Sequence, residues 1–512
     1  MKEDYKKYYE IKELIDNGAF GYVYKGIEKG KENEYRAIKV IKLDKIKDNL
    51  MIQFGAKDIE KNLQPIIEGF IQEFEIMKIC SNNNNNSVKC YEYFYNENYF
   101  VIIMELCDKN LSDLLKDKMK NKGFNIREIF EIMKQLNKAL KIMKENNIIH
   151  RNLKLENILI KYNDKEHKTF TVKLADYGVS KRLDSFSSKN YCNTKVGTLI
   201  YMAPEILVKG NYNYKCDLWS LGIILYRLKF GKSPFFGDTE NALINNINEF
   251  VNLSLNSSGD EELDDLINKL LEKDYSKRLN WDEYFNHPFF FKINLIYKKY
   301  GNNTNIFGAK FVENNKNNIE LIINGKRSKL VSRTELIEGD NNIQIIIKNK
   351  INNLEYMFYE CLSLKNIEEL KYLDVSEVNN FSYMLYFCSF LSDIKSLKDW
   401  DVSKGNNFSG MFCSCSSLSD IKPIQNWNVS NGKNFSGMFN QCSSLSDINP
   451  LKNWNVSNGK NFSFMFCSCF LLSDINPLKN WNVSNGNNFA HIFSECPSLS
   501  DINPYQFWKI SN

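Results

Sequence analysis

Ile11-Lys-Glu-Leu-Ile-Asp-Asn-Gly-Ala-Phe-Gly-Tyr-Val-Tyr24 is the stretch from which the first half of the chain can be read. Apolar and polar residues alternate on both sides of Asp16-Asn17-Gly18-Ala19-Phe20-Gly21, which predicts two strands joined by a glycine-containing turn. Such a turn lets backbone N–H groups come close to an anion. Outward from it, Tyr35 to Ile41 predicts another strand, with Lys39 inside Ala37-Ile38-Lys39-Val40, and Ile71 to Ile79 predicts a helix that carries Glu73. A lysine in an apolar strand needs a partner.

The rest of the composition narrows the class. At 512 residues the chain predicts two or three domains, each large enough to bury a core. Hydrophobic residues at 43% and charged residues at 25% describe a globular protein, although Asn is frequent. A net charge of +5 with no dense basic stripe argues against nucleic acid as a partner. No run of about 18 apolar residues predicts a membrane span, and the first residues lack the apolar stretch of a signal peptide. Thirteen Cys spread through the chain read as reduced thiols, so the cytoplasm is the expected compartment. The four His (His150, His167, His287, His491) lack metal-ligand spacing. Asn82 to Asn86 predicts a solvent-exposed loop. Asp48 to Leu63 reads as an insertion or a lengthened helix approach. Tyr99 to Cys107 predicts a buried strand running into an acidic linker.

Over about the first 290 residues the order of motifs resembles the eukaryotic protein kinase family. The resemblance implies a bilobal α+β kinase fold over residues 8–292, with an N-lobe at 8–106 and a C-lobe at 107–292, that binds ATP and magnesium. Asp16 to Val23 resembles the family's glycine-rich loop, with Asp16 where the first glycine usually sits and Gly18 and Gly21 as the second and third. The loop is therefore one glycine short. Val23, Ala37, Lys39 and Glu73 fall at nucleotide-pocket positions, Lys39 as the phosphate-holding lysine and Glu73 as its helix partner. Met104 resembles the gatekeeper, and Glu105 and Cys107 the adenine-binding hinge.

The same resemblance gives His150-Arg151-Asn152-Leu153-Lys154-Leu155-Glu156-Asn157 the place of the catalytic loop. It implies Asn157 as one magnesium ligand and Asp176, of Asp176-Tyr177-Gly178, as the other. Lys154 faces the phosphate. Where the family has its general base, an aspartate, this sequence has Asn152, an amide that cannot take up a proton at neutral pH. Gly197-Thr198 and Ala203-Pro204-Glu205 resemble the far end of an activation segment containing Ser185, Ser187, Ser188 and Thr194, and a phosphate on that segment would meet Arg151. Asp217, Glu205 and Arg278 take structural roles, and Trp281 to Phe290 the terminal helix. Lys154 with Gly197 to Glu205 points to the Ser/Thr branch.

The second half is periodic. Cys361, Cys388, Cys415, Cys442, Cys469 and Cys496 recur every 27 residues, and Trp400, Trp427, Trp454, Trp481 and Trp508 keep the same step. A fixed period of this size predicts a solenoid. Phe408, Met411, Phe412 and Cys415 fall at helical spacing, whereas Leu418, Ile421, Trp427 and Val429 suit a short strand and turn. The pattern over residues 351–512 resembles BspA-like leucine-rich repeats, an α/β solenoid, and the Cys ladder reads as small buried thiols. The array stops mid-repeat, so its last coil is either a recruiting surface or a frayed tail. Between the halves, residues 293–350 predict a small β junction or cap, with strands at Ile319–Ile323, Lys329–Val331 and Asn342–Ile347 and a turn at Asn324-Gly325.

Three functions follow. The first is a pseudokinase that binds ATP and magnesium with weak or absent phosphotransfer and holds protein partners on its repeats. The second is an active Ser/Thr kinase whose repeats recruit a protein substrate. The third is a repeat-based scaffold without enzymatic role. A general base is worth roughly 10²- to 10⁴-fold. Its loss weighs toward the first reading, and the retained Lys39, Glu73, Asn157 and Asp176 weigh against the third.

Overall fold

The computed structural model describes residues 5–18, 21–31, 34–54, 59–119, 123–167, 169–178, 180–182, 198–208, 212–249, 257–299, 301 and 304–500. The chain divides into two compact units, Met1–Phe290 and Phe291–Asn512. The expectations for Ser185, Ser187, Ser188, Thr194, Gly197 and Trp508, and for the array's end, lie outside the described residues.

The first unit opens with β1 (Tyr9–Gly18), β2 (Gly21–Glu28) and β3 (Tyr35–Lys42). Then come α1 (Leu43–Phe54), α2 (Ile59–Ser81), β4 (Cys90–Tyr95) and β5 (Tyr99–Glu105). The strands form one antiparallel sheet in the order β1-β2-β3-β5-β4. β5 sits between two partners and reads as an unbroken apolar run, with Phe100 to Ile103 fully buried. Asp48 to Leu63 holds the end of α1 and the start of α2. The Glu73 helix is thus 23 residues long and begins well before Ile71. It buries Leu63, Glu73, Phe74, Ile76, Met77 and Cys80 on one side.

Asn82 to Asn86 is a solvent-exposed loop only in part: Asn82, Asn83 and Asn85 are exposed, but Asn84 and Asn86 are buried. Asn84 Nδ2 donates to the Cys80 carbonyl at 3.0 Å, and Asn86 Nδ2 donates to the Val172 carbonyl at 2.8 Å. Short amide side chains satisfy the buried backbone of a tight bend, so here a polar run marks a packed turn.

The C-terminal part of this unit contains β6 (Lys109–Asn110), α3 (Leu111–Met119), α4 (Ile126–Glu145), β7 (Ile148–Ile149), β8 (Ile158–Tyr162), β9 (Phe170–Leu174) and β10 (Lys181–Arg182). It continues through α5 (Pro204–Val208), α6 (Lys215–Phe230), α7 (Glu240–Glu249), α8 (Glu261–Leu270) and α9 (Trp281–Phe285). Asn125 and Glu128 close a capping box at the start of α4. Helix α6 is buried from Cys216 to Tyr226, the mark of a helix at the centre of a lobe. The terminal helix ends at Phe285, and a separate 3₁₀ turn follows at Pro288–Phe291, because proline disfavours helix at the residue before it.

The second unit begins with β11 (Lys292–Lys298), α10 (Ala309–Asn315), β12 (Ile319–Ile323), β13 (Lys326–Lys329), β14 (Asp340–Ile347) and β15 (Leu364–Asn366), in a sheet ordered β13-β12-β14-β11-β15. Asn324 and Gly325 both have left-handed φ, 47° and 85°, as a two-residue hairpin turn requires. That turn starts β13 at Lys326, earlier than the expected Lys329. One apolar core runs from Ile293 to Cys496.

Beyond β15 the 27-residue step becomes a ladder. Asn353, Asn380, Asn407, Asn434, Asn461 and Asn488 are joined in succession by parallel bridges. The helical spacing of Phe408 to Cys415 does not yield a helix. Backbone N–H groups of Phe408, Gly410, Phe412 and Ser414 donate to carbonyls 26 residues ahead, whereas those of Met411, Cys413 and Cys415 donate three residues back. With alternate donors committed to the next coil, the four-residue ladder of an α-helix cannot form. Leu418 to Val429 likewise contains a 3₁₀ turn at Lys422–Ile424 and no strand. Phe381, Phe408, Phe435, Phe462 and Phe489 stack at 5.3–5.6 Å. The Cys388, Cys415, Cys442, Cys469 and Cys496 thiols each donate to a carbonyl 30 residues earlier at 3.0–3.2 Å.

Candidate active site

The strand register brings the expected pocket residues together. Asp16 pairs with Val23, Gly18 with Gly21, Val23 with Lys39, and Ala37 with Met104. Gly21 lies against β3, and a Cβ there would sit 2.2 Å from the Val40 carbonyl oxygen, so only glycine fits. Asp16 turns its carboxylate onto its own loop, where Oδ1 accepts from the Asn17 N–H at 2.8 Å.

Lys39 Nζ is 2.7 Å from Glu73 Oε1 and 3.8 Å from Asp176 Oδ1. Burial works against the ammonium, but the carboxylates of Glu73 and Asp176 outweigh it and raise the Lys39 pKa. Asp176 has a left-handed φ of 60°, a costly conformation for a non-glycine residue that the surroundings must hold. Next to it, Ala175 N–H donates to the Asn157 carbonyl at 2.9 Å. Asn157 Nδ2 donates to the Asn152 carbonyl at 2.8 Å, which leaves the amide oxygen as the group a cation can use. Two oxygen donors beside a paired lysine suit magnesium, which takes few protein ligands and completes its shell with water and phosphate.

Asp217 fixes the catalytic-loop backbone by accepting from the His150 and Arg151 N–H groups, both at 2.8 Å. Burial pushes its pKa up to about 6 against the pull of those donors. His150 is fully buried, its Nε2 lies 3.1 Å from the Ala175 carbonyl, and burial lowers its pKa to about 4. Arg151 has a left-handed φ of 64° and reaches Tyr212 OH at 3.4 Å. The Asn152 side chain points to Thr198, whose Oγ1 donates to Asn152 Oδ1 at 3.4 Å. Lys154 is half-buried in the same loop. Glu205 and Arg278 form a buried two-bond pair at 2.7 and 3.0 Å.

Sequence reading missed what surrounds the hinge. The Glu105 side chain is committed to Lys161 at 2.7 Å and Lys173 at 2.9 Å, and its N–H donates to the Lys89 carbonyl at 2.9 Å, so its backbone carbonyl is the group left to meet a nucleotide base. Burial raises the Glu105 pKa, but the two lysines overcome this and lower it. Lys173 is a buried charge in an otherwise apolar strand, the same signal that singles out Lys39. The Cys107 thiol is pushed up to about 12 by burial, so it is a neutral hinge residue. Among the described residues no cluster of three or more His, Cys, Asp or Glu is placed to hold a metal, and no helix is long and apolar enough to cross a membrane.

A two-lobed unit with a lysine–glutamate pair, a left-handed aspartate and a loop anchored by a buried carboxylate defines the protein kinase class. The protein kinase domain family matches residues 9–290, and the chain belongs to it. Its relatives are protein kinases and include a serine/threonine-protein kinase. It is 34% identical over 288 residues to myosin light chain kinase A of Dictyostelium discoideum, covering 55% of this chain and 88% of that protein. It is 34% identical over 284 residues to serine/threonine-protein kinase atg1 of the same organism, covering 54% of this chain and 38% of the relative. Calcium-dependent protein kinase 3 of Plasmodium yoelii yoelii is 32% identical over 285 residues, covering 55% of this chain and 47% of the relative. The chain thus spans well under two thirds of the latter two. Protein kinases in general use ATP and magnesium. Residues 328–447 and 390–508 match a family described as a Mycoplasma protein of unknown function, DUF285.

Proposed function

We propose that this chain is a Ser/Thr-kinase-like protein that binds ATP and magnesium and transfers phosphate weakly or not at all. The observation that carries this is the assembled cluster in which Lys39 pairs with Glu73 while Asp176 and Asn157 sit on either side of the Ala175–Asn157 backbone bond. Bound ATP supplies the phosphoryl group. Lys39 would hold its phosphates, and the Asp176 and Asn157 oxygens would hold the metal. Lys154 would neutralise charge, and the backbone of Glu105 and Cys107 would read the base. Asn152 occupies the place of the base but offers an amide. It can orient a substrate hydroxyl and cannot accept its proton. A compartment that keeps thiols reduced fits the twelve described free cysteines, so we place the chain in the cytoplasm.

The repeats are read as a leucine-rich-repeat-type solenoid of BspA-like units that holds protein partners. The bonds and ring stacks between residues one period apart support this, because each coil leans on its neighbours alone. The test of the nucleotide reading is thermal shift of the full chain. Millimolar ATP with magnesium should raise the melting temperature, and Asp176→Ala should remove the magnesium-dependent part. Absence of any shift would overturn the reading.

A further inference from the structure

Asp176 faces the metal position only while its backbone stays left-handed, so whatever holds the residues on either side of it sets the site. On one side, Ala175 is bonded to Asn157, and Leu174 N–H donates to the Asn86 carbonyl at 2.8 Å. On the other side is Tyr177, which is 1% exposed. A phenylalanine would fill the same space, yet the hydroxyl is matched: Tyr177 OH lies 3.1 Å from Ser87 Oγ, itself fully buried. Ser87 Oγ also accepts from Asn84 Nδ2 at 3.3 Å, and that same amide group holds the Cys80 carbonyl at the end of α2. The buried bend of Asn84 to Ser87 thus ends in a hydroxyl pair that grips the residue after Asp176.

We propose that Tyr177 is a positioning residue for Asp176: its hydroxyl, bonded to Ser87, which Asn84 holds in turn, keeps the left-handed backbone at Asp176 in place and so sets the magnesium-dependent part of nucleotide binding. The inference rests on the nucleotide reading above. It joins α2, which carries Glu73, to the metal-facing aspartate through a polar contact that a phenylalanine could not make. Displacing the ring would break the buried bond between the Ser87 and Tyr177 hydroxyls, which favours the inward position of Tyr177.

The test compares wild type, Tyr177→Phe, Ser87→Ala and the double variant as full chains. ATP affinity is measured with magnesium and with a chelator, and hydrogen exchange is measured without nucleotide. Each single variant should weaken magnesium–ATP binding about fivefold, the scale of one buried hydrogen bond, and change chelated ATP binding less than twofold. The double variant should match Ser87→Ala and fall short of the sum of the singles, because both singles remove the bond between the two hydroxyls and Ser87→Ala also removes the acceptor of Asn84 Nδ2. Amides 174–178 should exchange faster in Tyr177→Phe, with residues 155–160 unchanged. Equal weakening with and without magnesium would show a merely structural role and overturn the proposal, as would unchanged magnesium–ATP binding. If wild type binds no nucleotide, the nucleotide reading falls and exchange alone decides the clasp. Faster exchange at 174–178 would then uphold it, and unchanged exchange would overturn it.

Discussion

Replacing Trp427 by Phe should unfold the second unit more easily by about 2–3 kcal/mol, and the loss should be local. Trp427 is 4% exposed, and its Nε1 donates to the Leu397 carbonyl, 30 residues earlier, at 2.9 Å. Phenylalanine has no donor. The carbonyl keeps a longer bond of 3.3 Å from the Trp400 N–H, so the loss lies at the low end of an unmade buried hydrogen bond, about 1 kcal/mol. The indole also stacks on Trp400 and Trp454, each with ring centroids 6.4 Å away and planes within 10°. A smaller ring weakens both contacts, for about 1–2 kcal/mol more. Urea unfolding of the full chain gives the total, and hydrogen exchange gives its location, which should lie within about residues 397–460 because each coil is held by its neighbours. A loss under about 0.5 kcal/mol would refute the reasoning, as would faster exchange spread evenly over both units.

Lys173→Met should destabilise the first unit by about 3 kcal/mol by leaving Glu105 buried with Lys161 as its one remaining salt-bridge partner, and adding Glu105→Leu should restore much of that in urea unfolding. A double variant no better than the single would contradict the assignment. The buried groups of the catalytic loop predict an unusual pH response. His150, with its pKa lowered to about 4, lends stability above its ordinary value of about 6.5 and loses it as pH falls toward 4. Asp217, raised to about 6, does the opposite: its contribution is full below its ordinary value near 4 and is lost as pH rises through 6. From pH 6.5 to 5 an Asp217 gain of about 1 kcal/mol offsets roughly half of the His150 loss of about 2 kcal/mol. Wild-type stability should therefore fall slightly over that interval, while His150→Phe should become more stable. Parallel urea midpoints for the two proteins would refute this.

Local signals are legible in the sequence. Alternation marks β1, β2 and β3, and a charge inside an apolar strand marks Lys39, which the structure sets 2.7 Å from Glu73. The 27-residue step shows directly in the identities of Cys, Met and Trp. What escapes is decided by partners distant in sequence. Asn84 and Asn86 look like surface residues until the Cys80 carbonyl at the end of α2 and the Val172 carbonyl of β9 supply their acceptors. Phe408, Met411, Phe412 and Cys415 have helical spacing, but half of the backbone donors there belong to the next coil, and no single repeat shows that. The sequence around Tyr177 does not show that its hydroxyl has a partner, because Ser87 lies 90 residues earlier in the chain.

The central claim is that one missing carboxylate separates an assembled nucleotide site from a working kinase. It is tested most directly by Asn152→Asp, with transfer of γ-phosphate to a generic Ser/Thr substrate and to the chain itself measured beside wild type and the double variant with Asp176→Ala. With Lys39, Glu73, Lys154, Asn157 and Asp176 retained, restoring the base should raise phosphotransfer by roughly two to four orders of magnitude, and Asp176→Ala should abolish the gain. Robust wild-type transfer that Asn152→Asp barely changes would contradict the account, as would silence in the single variant despite full ATP binding.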